Sequence, residues 1–297
     1  MEFRSLETFY WVARLGSFGA AARKLNTSQP AISQRIAVLE QALGSKVVVR
    51  GARQITMTSV GRELLVYSEK LLGLRAEMMA RLVNTGNFQG ILRLGVSETL
   101  VHTWLPEFIK AAKAEYPKLS IEIDVDTSPS LRAKLLAQQI ELAFMIGPIS
   151  AAGVRNRELG SYRLGFLASP DLGLAETAGL ADIAAHPIYT FSRQTQPYEN
   201  VRSIFQAGDL PPVSLNASAS MSTVARIAID GLGIAIIPLE IVRHEMAAGR
   251  LIEICRQVKL PDLCFSATWL VVPDSVVVEA LAEIAVGYAK LEARAQR

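Results

Sequence analysis

The first 45 residues carry apolar side chains at helical spacing, interrupted by residues that commonly begin or end helices. Three short helices are predicted, over residues 5–16, over residues 18–25 and from about residue 30 onward. The residues expected to cap or end them are Ser5, Gly16, Ser17, Asn26, Thr27, Ser28 and Pro30. Because only a three-residue break separates the second helix from the third, the segment has the form of a helix-turn-helix.

The third helix has one apolar face and one uncharged polar face. The apolar face, expected in the core, consists of Ile32, Ile36, Leu39 and Leu43. The opposite face consists of Pro30, Gln34, Ala37 and Gln41, with Ser33 on its flank. Gln29, Ser33 and Gln34 lie near the helix N-terminus, where they can hydrogen-bond base edges in a major groove of DNA. Arg35 lies nearer the apolar face, and we expect it to extend towards phosphate or an adjacent base.

Residues 46–49 and 54–58 are predicted to form two short strands of a hairpin. The connection between them carries Arg50 and Arg53, which are placed to reach the DNA backbone or the minor groove. An ordinary three-helix core with a surface hairpin is the alternative. The combination of helix caps, an uncharged reading face and a basic hairpin favours a DNA reader.

From residue 60 to about residue 84 the apolar positions alternate steps of four and three, which is the seam of a coiled coil. The seam residues are Val60, Leu64, Tyr67, Leu71, Leu74 and Met78, of which the last five are the predicted dimer contacts. A helix with so many apolar positions needs a partner, and its place after a DNA reader favours dimerisation over the alternative of a core helix. Gly86, Asn87 and Gly90 are the expected hinge.

The remaining two-thirds alternate between strand-like and helix-like segments, which predicts one or two parallel α/β sheets. The predicted strands are residues 91–96, 119–125, 141–146, 164–168, 188–191, 234–237 and 267–272. The predicted helices are residues 100–115, 130–139, 199–207, 223–229 and 275–294.

Hydroxyl side chains follow several of these strands and precede helices. They are Ser97, Thr99, Thr127, Ser128, Ser130, Thr190, Ser192, Ser218, Ser220 and Ser222, with Arg193 beside Ser192. Ligands of such sheets bind at the strand carboxyl ends, and helix N-termini favour anions. The sequence therefore predicts a pocket for a small anion, provided that these sites converge. The alternative is that each hydroxyl caps only its own helix.

Composition and charge restrict the class of protein. With 297 residues, half apolar and one fifth charged, the chain is globular and long enough for two or three domains. Two cysteines, no recognisable signal peptide and no apolar run of membrane-spanning length predict a soluble cytoplasmic protein without a membrane partner. Residues 1–90 hold 12 Lys/Arg and 6 Asp/Glu, whereas residues 91–297 hold 19 and 22. The basic N-terminal third predicts a polyanionic partner.

The motifs of common enzymes are missing from the sequence. The three histidines lack the HExxH spacing of a zinc site, and no GxSxG motif is present. Gly231-Leu232-Gly233 lacks the third glycine of a dinucleotide fingerprint and is predicted to be a turn. We therefore expect a protein that is not an enzyme and that uses no metal or cofactor.

The run SLETFYWVARLGSFGAAARKLNTSQPAISQRIAVLEQALGSKVVVRGARQITMTSVGREL (5–64) resembles the winged helix-turn-helix of the LysR-type bacterial transcriptional regulators. The tightest matches are SFGAAARKLNTSQPAISQRIAVLEQALG (17–44) and TMTSVG (56–61). Val48-Val49 stand where the family usually has Leu-Phe, Met57-Thr58 replace its leucine-threonine, and Val60-Gly61 replace its small residue-glycine pair. The segment DGLGIAIIP (230–238) also resembles a glycine-rich stretch of the family.

The resemblance implies an α/β protein with an N-terminal winged helix-turn-helix, a long linker helix and a two-lobed α/β effector domain resembling a periplasmic solute-binding protein. The implied domains are residues 1–59, the linker and hinge 60–89, and the effector domain 91–297. Lobe one comprises 91–163 and 268–297, lobe two comprises 164–267, and the crossovers lie near 162–165 and 266–269.

The resemblance also implies partners and site residues. The partners are double-stranded promoter DNA, a small anionic effector, RNA polymerase and further copies of the chain, as a dimer of dimers. The DNA-binding residues are Thr27, Ser28, Gln29, Pro30, Ser33, Gln34, Arg35, Arg50 and Arg53. Ser97, Thr99, Ser128 and Ser192 match family positions that commonly touch the effector, and the predicted effector-binding residues are these four with Thr127, Arg193, Ser220 and Met221.

Two other functions fit parts of this pattern. Some members of the family sense peroxide with a cysteine pair, so Cys255 and Cys264 could form a redox switch. Their position near the second crossover, and the apolar run around Cys264, favour buried unreactive thiols instead. A solute-binding transport component would share the sensor fold, but it would need a signal peptide and would lack the DNA reader.

Overall fold

The computed structural model describes residues 2–50, 55–82, 88–151, 153–206, 210–272 and 275–295. The chain forms two compact units, one made mainly of residues up to 84 and the other mainly of residues from 85 onward. Within the described ranges, no helix combines the length and the apolar character that crossing a bilayer requires.

The N-terminal unit is a winged helix-turn-helix followed by a long helix. Its elements are α1 (Phe3–Leu15), α2 (Phe18–Lys24), α3 (Gln29–Leu43), β1 (Val48–Arg50), β2 (Ile55–Met57) and α4 (Ser59–Leu82). Strands β1 and β2 pair antiparallel as a hairpin. Buried aromatic side chains of α1, including Phe9 and Trp11, pack with Ile32 and Ile36 of α3 in one core.

Local signals set the ends of these helices. The Ser17 hydroxyl accepts a hydrogen bond from the amide of Ala20, and Asn26 adopts the predicted left-handed conformation with φ of 47°. The prediction that Ser5 caps the first helix is wrong. Ser5 is buried inside α1, because the backbone carbonyl of Glu2 already accepts the amide of Ser5 and so begins the helix earlier.

The C-terminal unit contains two five-stranded sheets. The first has the order β4 (Leu119–Val125), β3 (Gly90–Val96), β5 (Leu142–Ile146), β12 (Leu263–Leu270) and β6 (Val154–Tyr162). The second has the order β11 (Ile252–Ile254), β7 (Leu164–Ala168), β10 (Ile234–Pro238), β8 (Ile188–Thr190) and β9 (Leu215–Ala217). Each sheet combines three parallel strands with antiparallel neighbours. The expectation of wholly parallel sheets is therefore corrected.

The helices of this unit connect the strands. They are α5 (Glu98–Val101), α6 (Leu105–Glu115), α7 (Ser128–Leu136), α8 (Leu180–Ala184), α9 (Gln196–Gln206), α10 (Met221–Ile229), α11 (Arg243–Ala247) and α12 (Val276–Ala295). The predicted single helix over residues 100–115 is wrong, because the chain turns between α5 and α6. Pro106 has no amide to continue a helix from α5, and it instead occupies the first turn of α6.

The chain crosses twice between the two sheets. The first crossover is at Arg163, between β6 and β7, within the expected range. The second lies earlier than the expected 266–269, since β12 already pairs with β6 from Leu263 onward. Strand β6 is missing from the predicted elements. It is an edge strand with many exposed polar residues, so it lacks the apolar run or clean alternation by which strands are recognised.

Candidate DNA-reading face and ligand cavity

The N-terminal end of α3 presents polar side chains to solvent. Ser28 is exposed, and its hydroxyl caps α3 by accepting from the amide of Ala31. Among the other predicted DNA-binding residues, Gln29, Pro30 and Gln34 are exposed, and Thr27, Ser33 and Arg35 are partly exposed. Arg50 ends strand β1, while Arg53 lies outside the described residues. The expected reading face is therefore accessible, with α3 beginning at Gln29.

The C-terminal half of α3 differs from the prediction. Leu43 is exposed, and Glu40 is the buried residue of that turn. Carboxylate Oε1 of Glu40 accepts the amide of Val47 (3.0 Å), and Oε2 accepts the ammonium group of Lys46 (2.7 Å). Burial alone would raise the pKa of Glu40, but these hydrogen bonds outweigh it and lower the pKa. Glu40 therefore anchors the wing to the reading helix.

Helix α4 presents two different faces. On one face, Ser68 and Leu72 are buried and Leu64 packs against the core of the winged domain. The expectation that Leu64 lies in the dimer seam is corrected, because it lies one turn before Ser68 on the inward face. The other four predicted dimer contacts are exposed: Tyr67 by 54%, Leu71 by 39%, Leu74 by 65% and Met78 by 49%. This second face is a continuous apolar stripe.

A cavity of about 380 Å³ is lined from both sheets of the C-terminal unit, where strands β3, β4, β5, β8 and β9 end. Seven of the eight predicted effector residues line it, namely Ser97, Thr99, Thr127, Ser128, Ser192, Ser220 and Met221. The eighth, Arg193, is exposed and is not among the lining residues. The strand ends that the sequence predicts as a binding edge therefore do meet at one cavity.

Hydrogen bonds hold several of these hydroxyls in place. The Ser128 hydroxyl accepts from the amide of Ile146 (3.0 Å) and lies 3.3 Å from the Ser97 hydroxyl. Thr99 is only 3% exposed, and its hydroxyl has no hydrogen-bond partner among the described residues. Apolar side chains complete the lining, namely Val125, Ile146, Phe191, Pro197 and Phe265.

Glu98 is a lining residue that the sequence reasoning missed. Its Oε2 accepts the backbone amide of Met221 (2.6 Å), and its Oε1 accepts the amide and the hydroxyl of Ser222 (3.0 and 2.6 Å). Burial alone would raise the pKa of Glu98, but hydrogen bonds from His102 and from the first turn of α10 outweigh it and lower the pKa to about 2. A carboxylate of α5 therefore caps α10 across the cavity.

Asp126 is the second carboxylate on the cavity wall. Its Oδ1 accepts a hydrogen bond from the amide of Thr127 (2.7 Å). Its Oδ2 accepts hydrogen bonds from the hydroxyl of Ser130 and from the ammonium group of Lys134 (2.8 Å). Burial alone would raise the pKa of Asp126, but the hydrogen bonds from Lys134 and Ser130 outweigh it and lower the pKa. Lys134 also pairs with Asp124 (2.6 Å), so its charge is shared between two carboxylates.

These contacts correct the expectation that the N-terminus of α10 is open to a ligand anion. The amides of Met221 and Ser222 already donate to Glu98, so the protein supplies its own anion there. The described residues that line the cavity include no lysine, arginine or histidine.

The two cysteines lie on different sheets. Cys255 follows β11 and is buried, and burial raises the pKa of its thiol, which disfavours the reactive thiolate. Cys264 lies in β12 and is exposed, contrary to the expectation that both are buried, because alternate residues of a strand face opposite sides. Both thiols are free.

Comparison with known proteins covers nearly the whole chain. Residues 3–62 match the family described as "Bacterial regulatory helix-turn-helix protein, lysR family", and residues 85–289 match "LysR substrate binding domain". The HTH-type transcriptional regulator CzcR of Bacillus anthracis is 26% identical over 250 residues, which cover 84% of this chain and 84% of CzcR.

Solved structures show the same fold. ArgP from Mycobacterium tuberculosis is 21% identical with a TM-score of 0.66, and the match covers 96% of each chain. Full-length LysG from Corynebacterium glutamicum, solved with "bound effector Arg", is 21% identical with a TM-score of 0.65, and the match covers 98% of this chain and 99% of LysG. With a DNA-binding domain and a substrate-binding domain both matched, the chain belongs to the LysR-type family of transcriptional regulators.

Proposed function

We propose that this regulator reads a promoter sequence with α3 and alters its DNA binding when a small effector occupies the cavity. The observation that carries the proposal is that one cavity is lined from both sheets, by residues at the carboxyl ends of five different strands. A ligand there contacts both halves of the effector domain and can favour one arrangement of them.

Double-stranded promoter DNA is the proposed partner of the winged domain. Gln29, Ser33 and Gln34 would hydrogen-bond base edges in the major groove. The remaining contacts would go mainly to the sugar-phosphate backbone, from Thr27, Ser28, Pro30, Arg35, Arg50 and Arg53. RNA polymerase is the proposed further partner at the promoter.

A second copy of the chain is the proposed partner of α4. Large apolar side chains at four successive seam positions leave a stripe that water solvates poorly, and a matching helix would cover it. The proposed contacts are Tyr67, Leu71, Leu74 and Met78. Two such dimers would form the proposed tetramer, which presents paired reading helices to an inverted repeat.

Matched substitutions beside the cavity test the ligand part of the proposal. Ser192→Trp places an indole on the cavity wall, whereas Arg193→Trp places the same group on the exposed neighbour. In a thermal-shift screen of metabolites, a ligand should raise Tm of the wild type and of Arg193→Trp but not of Ser192→Trp. The same ligand should change promoter affinity in a binding titration. A shift that persists in Ser192→Trp would place the effector elsewhere.

The redox alternative is not favoured. The Cys255 thiol is buried with a raised pKa, and Cys264 belongs to the other sheet. Hydroxyl side chains that follow strands β3, β4, β8 and β9 line one cavity, which supports small-molecule control instead.

A further inference from the structure

We infer that the effector carries a positively charged ammonium or guanidinium group and that the cavity disfavours small anions. The inference rests on the proposed function, because it names the chemical class of ligand for the same cavity. It replaces the sequence-based expectation of an anionic effector.

The charge of the cavity wall supports this class. The charged side chains that line it are Glu98 and Asp126, and no lining residue described here is cationic. The ammonium group of Lys134, which pairs with Asp126, also pairs with Asp124. An anion entering the cavity would approach two carboxylates without meeting a cationic partner, whereas a cation would be attracted by both.

Four backbone donors that could have received an anion are already used. The amides of Met221 and Ser222 in the first turn of α10 donate to Glu98. The next amide of that helix, from Thr223, donates to the hydroxyl of Ser220. The amide of Thr127, directly before α7, donates to Asp126. An anionic ligand would have to displace one of the protein's own carboxylates from these donors.

The carboxylates of Glu98 and Asp126 can accept further hydrogen bonds. Among the described residues, Oε2 of Glu98 accepts one hydrogen bond and Oδ1 of Asp126 accepts one, so each oxygen retains a free lone pair. The Thr99 hydroxyl, nearly buried on the cavity wall, has no partner among the described residues. A cation with several N–H donors can use all of these acceptors without breaking an existing bond.

The apolar part of the lining defines the rest of the ligand. Phe191, Pro197 and Phe265 provide surface for a short hydrocarbon body, and about 380 Å³ suits a small metabolite. The structure thus points to an organic amine with an apolar portion.

Three probes with five carbon atoms each test the charge preference on the purified full-length protein. They are pentylammonium chloride, 1-pentanol and sodium pentanoate, compared at equal ionic strength by calorimetry and thermal shift. We expect pentylammonium to bind at least tenfold more tightly than pentanoate, with 1-pentanol between them. Binding of pentanoate equal to or tighter than that of pentylammonium, or no difference among the three probes, would overturn the inference.

Two matched variants test whether Asp126 contacts the ammonium group of the probe. Asp126→Asn should weaken pentylammonium binding about tenfold, since a charge-assisted hydrogen bond is lost. Asp124→Asn removes the other partner of Lys134 but no lining residue, so it should bind the probe like the wild type. Equal weakening in both variants would contradict a direct contact with Asp126.

Ser192→Trp separates failure of the inference from failure of the proposed function. If pentanoate binds in preference to pentylammonium and Ser192→Trp abolishes that binding, the cavity is the ligand site and only the charge assignment is wrong. If pentylammonium binds equally to wild type and Ser192→Trp, the cavity itself is not the ligand site.

Discussion

Carboxylate Oε2 of Glu98 lies 2.6 Å from the backbone nitrogen of Met221, so a side chain beside the first sheet caps a helix beside the second. The two residues are 123 positions apart in sequence. The contact joins the two walls of the cavity. Glu98 is therefore a structural link between the two walls.

Replacing Glu98 tests the strength of this link. Glu98→Gln keeps the size of the side chain but loses the charge that the amides of α10 stabilise, so we expect a loss of about 1–3 kcal/mol in the free energy of unfolding. Urea denaturation at neutral pH measures the loss. Glu115→Gln, at the exposed end of α6, is the control and should change stability by less than about 0.5 kcal/mol. Equal stability of both variants would contradict the capping role.

The pH dependence of the same link follows from the lowered pKa of Glu98. A carboxyl group whose pKa is lower in the folded state stabilises the fold above its unfolded pKa, here 4.5, and loses that contribution as the pH falls towards about 2. The stability difference between wild type and Glu98→Gln should therefore shrink as the pH falls below 4.5. Urea denaturation at pH 7, 5, 4 and 3 measures it. A difference that shrinks between pH 8 and pH 6 would point to another titrating group.

Sequence selectivity tests the reading face of α3. Gln34→Ala should remove up to about 1–3 kcal/mol of discrimination at one base pair, because a bidentate amide contact to a base edge is lost. Gln41→Ala, on the same exposed face near the other end of the helix, is the control. Competition binding with the operator and with singly substituted operators measures the preference. Unchanged selectivity in Gln34→Ala would contradict the assignment of this face.

The mass of the protein in solution tests whether the apolar stripe of α4 is the dimer interface. Leu74 is 65% exposed in the single chain, so Leu74→Glu should leave each chain folded but place an unpaired charge in the proposed interface. Light scattering should report a smaller species than the wild type, and operator affinity should fall because one half-site makes too few contacts. Glu63→Gln, on the exposed surface of the same helix, should keep the wild-type mass. Wild-type mass and operator affinity in Leu74→Glu would exclude this stripe as the interface.

Much of the molecule was predictable because the relevant interactions are local. The cap at Ser17, the left-handed turn at Asn26 and the spacing of Ile32 and Ile36 depend on neighbours within one or two helical turns. The hydroxyls after the strands were predictable for a related reason, since parallel strands bring their carboxyl ends to one edge. Periodicity also located α4, although only tertiary packing decided that Leu64 faces inward while Leu74 faces outward.

Burial of charge was decided by tertiary structure alone. Glu40 is buried because the amides of the wing strand happen to lie beside it, and no pattern along α3 indicates those donors. In the sequence, Glu98 looks like an ordinary residue in the first turn of its own helix. Its hydrogen-bond donors come from a helix 123 residues later. A carboxylate is stable in such a place only when donors converge on it, and their convergence depends on how distant segments pack. The sequence by itself thus determined the family, the helix-turn-helix and the strand ends that meet at the cavity, whereas the packing of the two sheets decided the charge of the cavity.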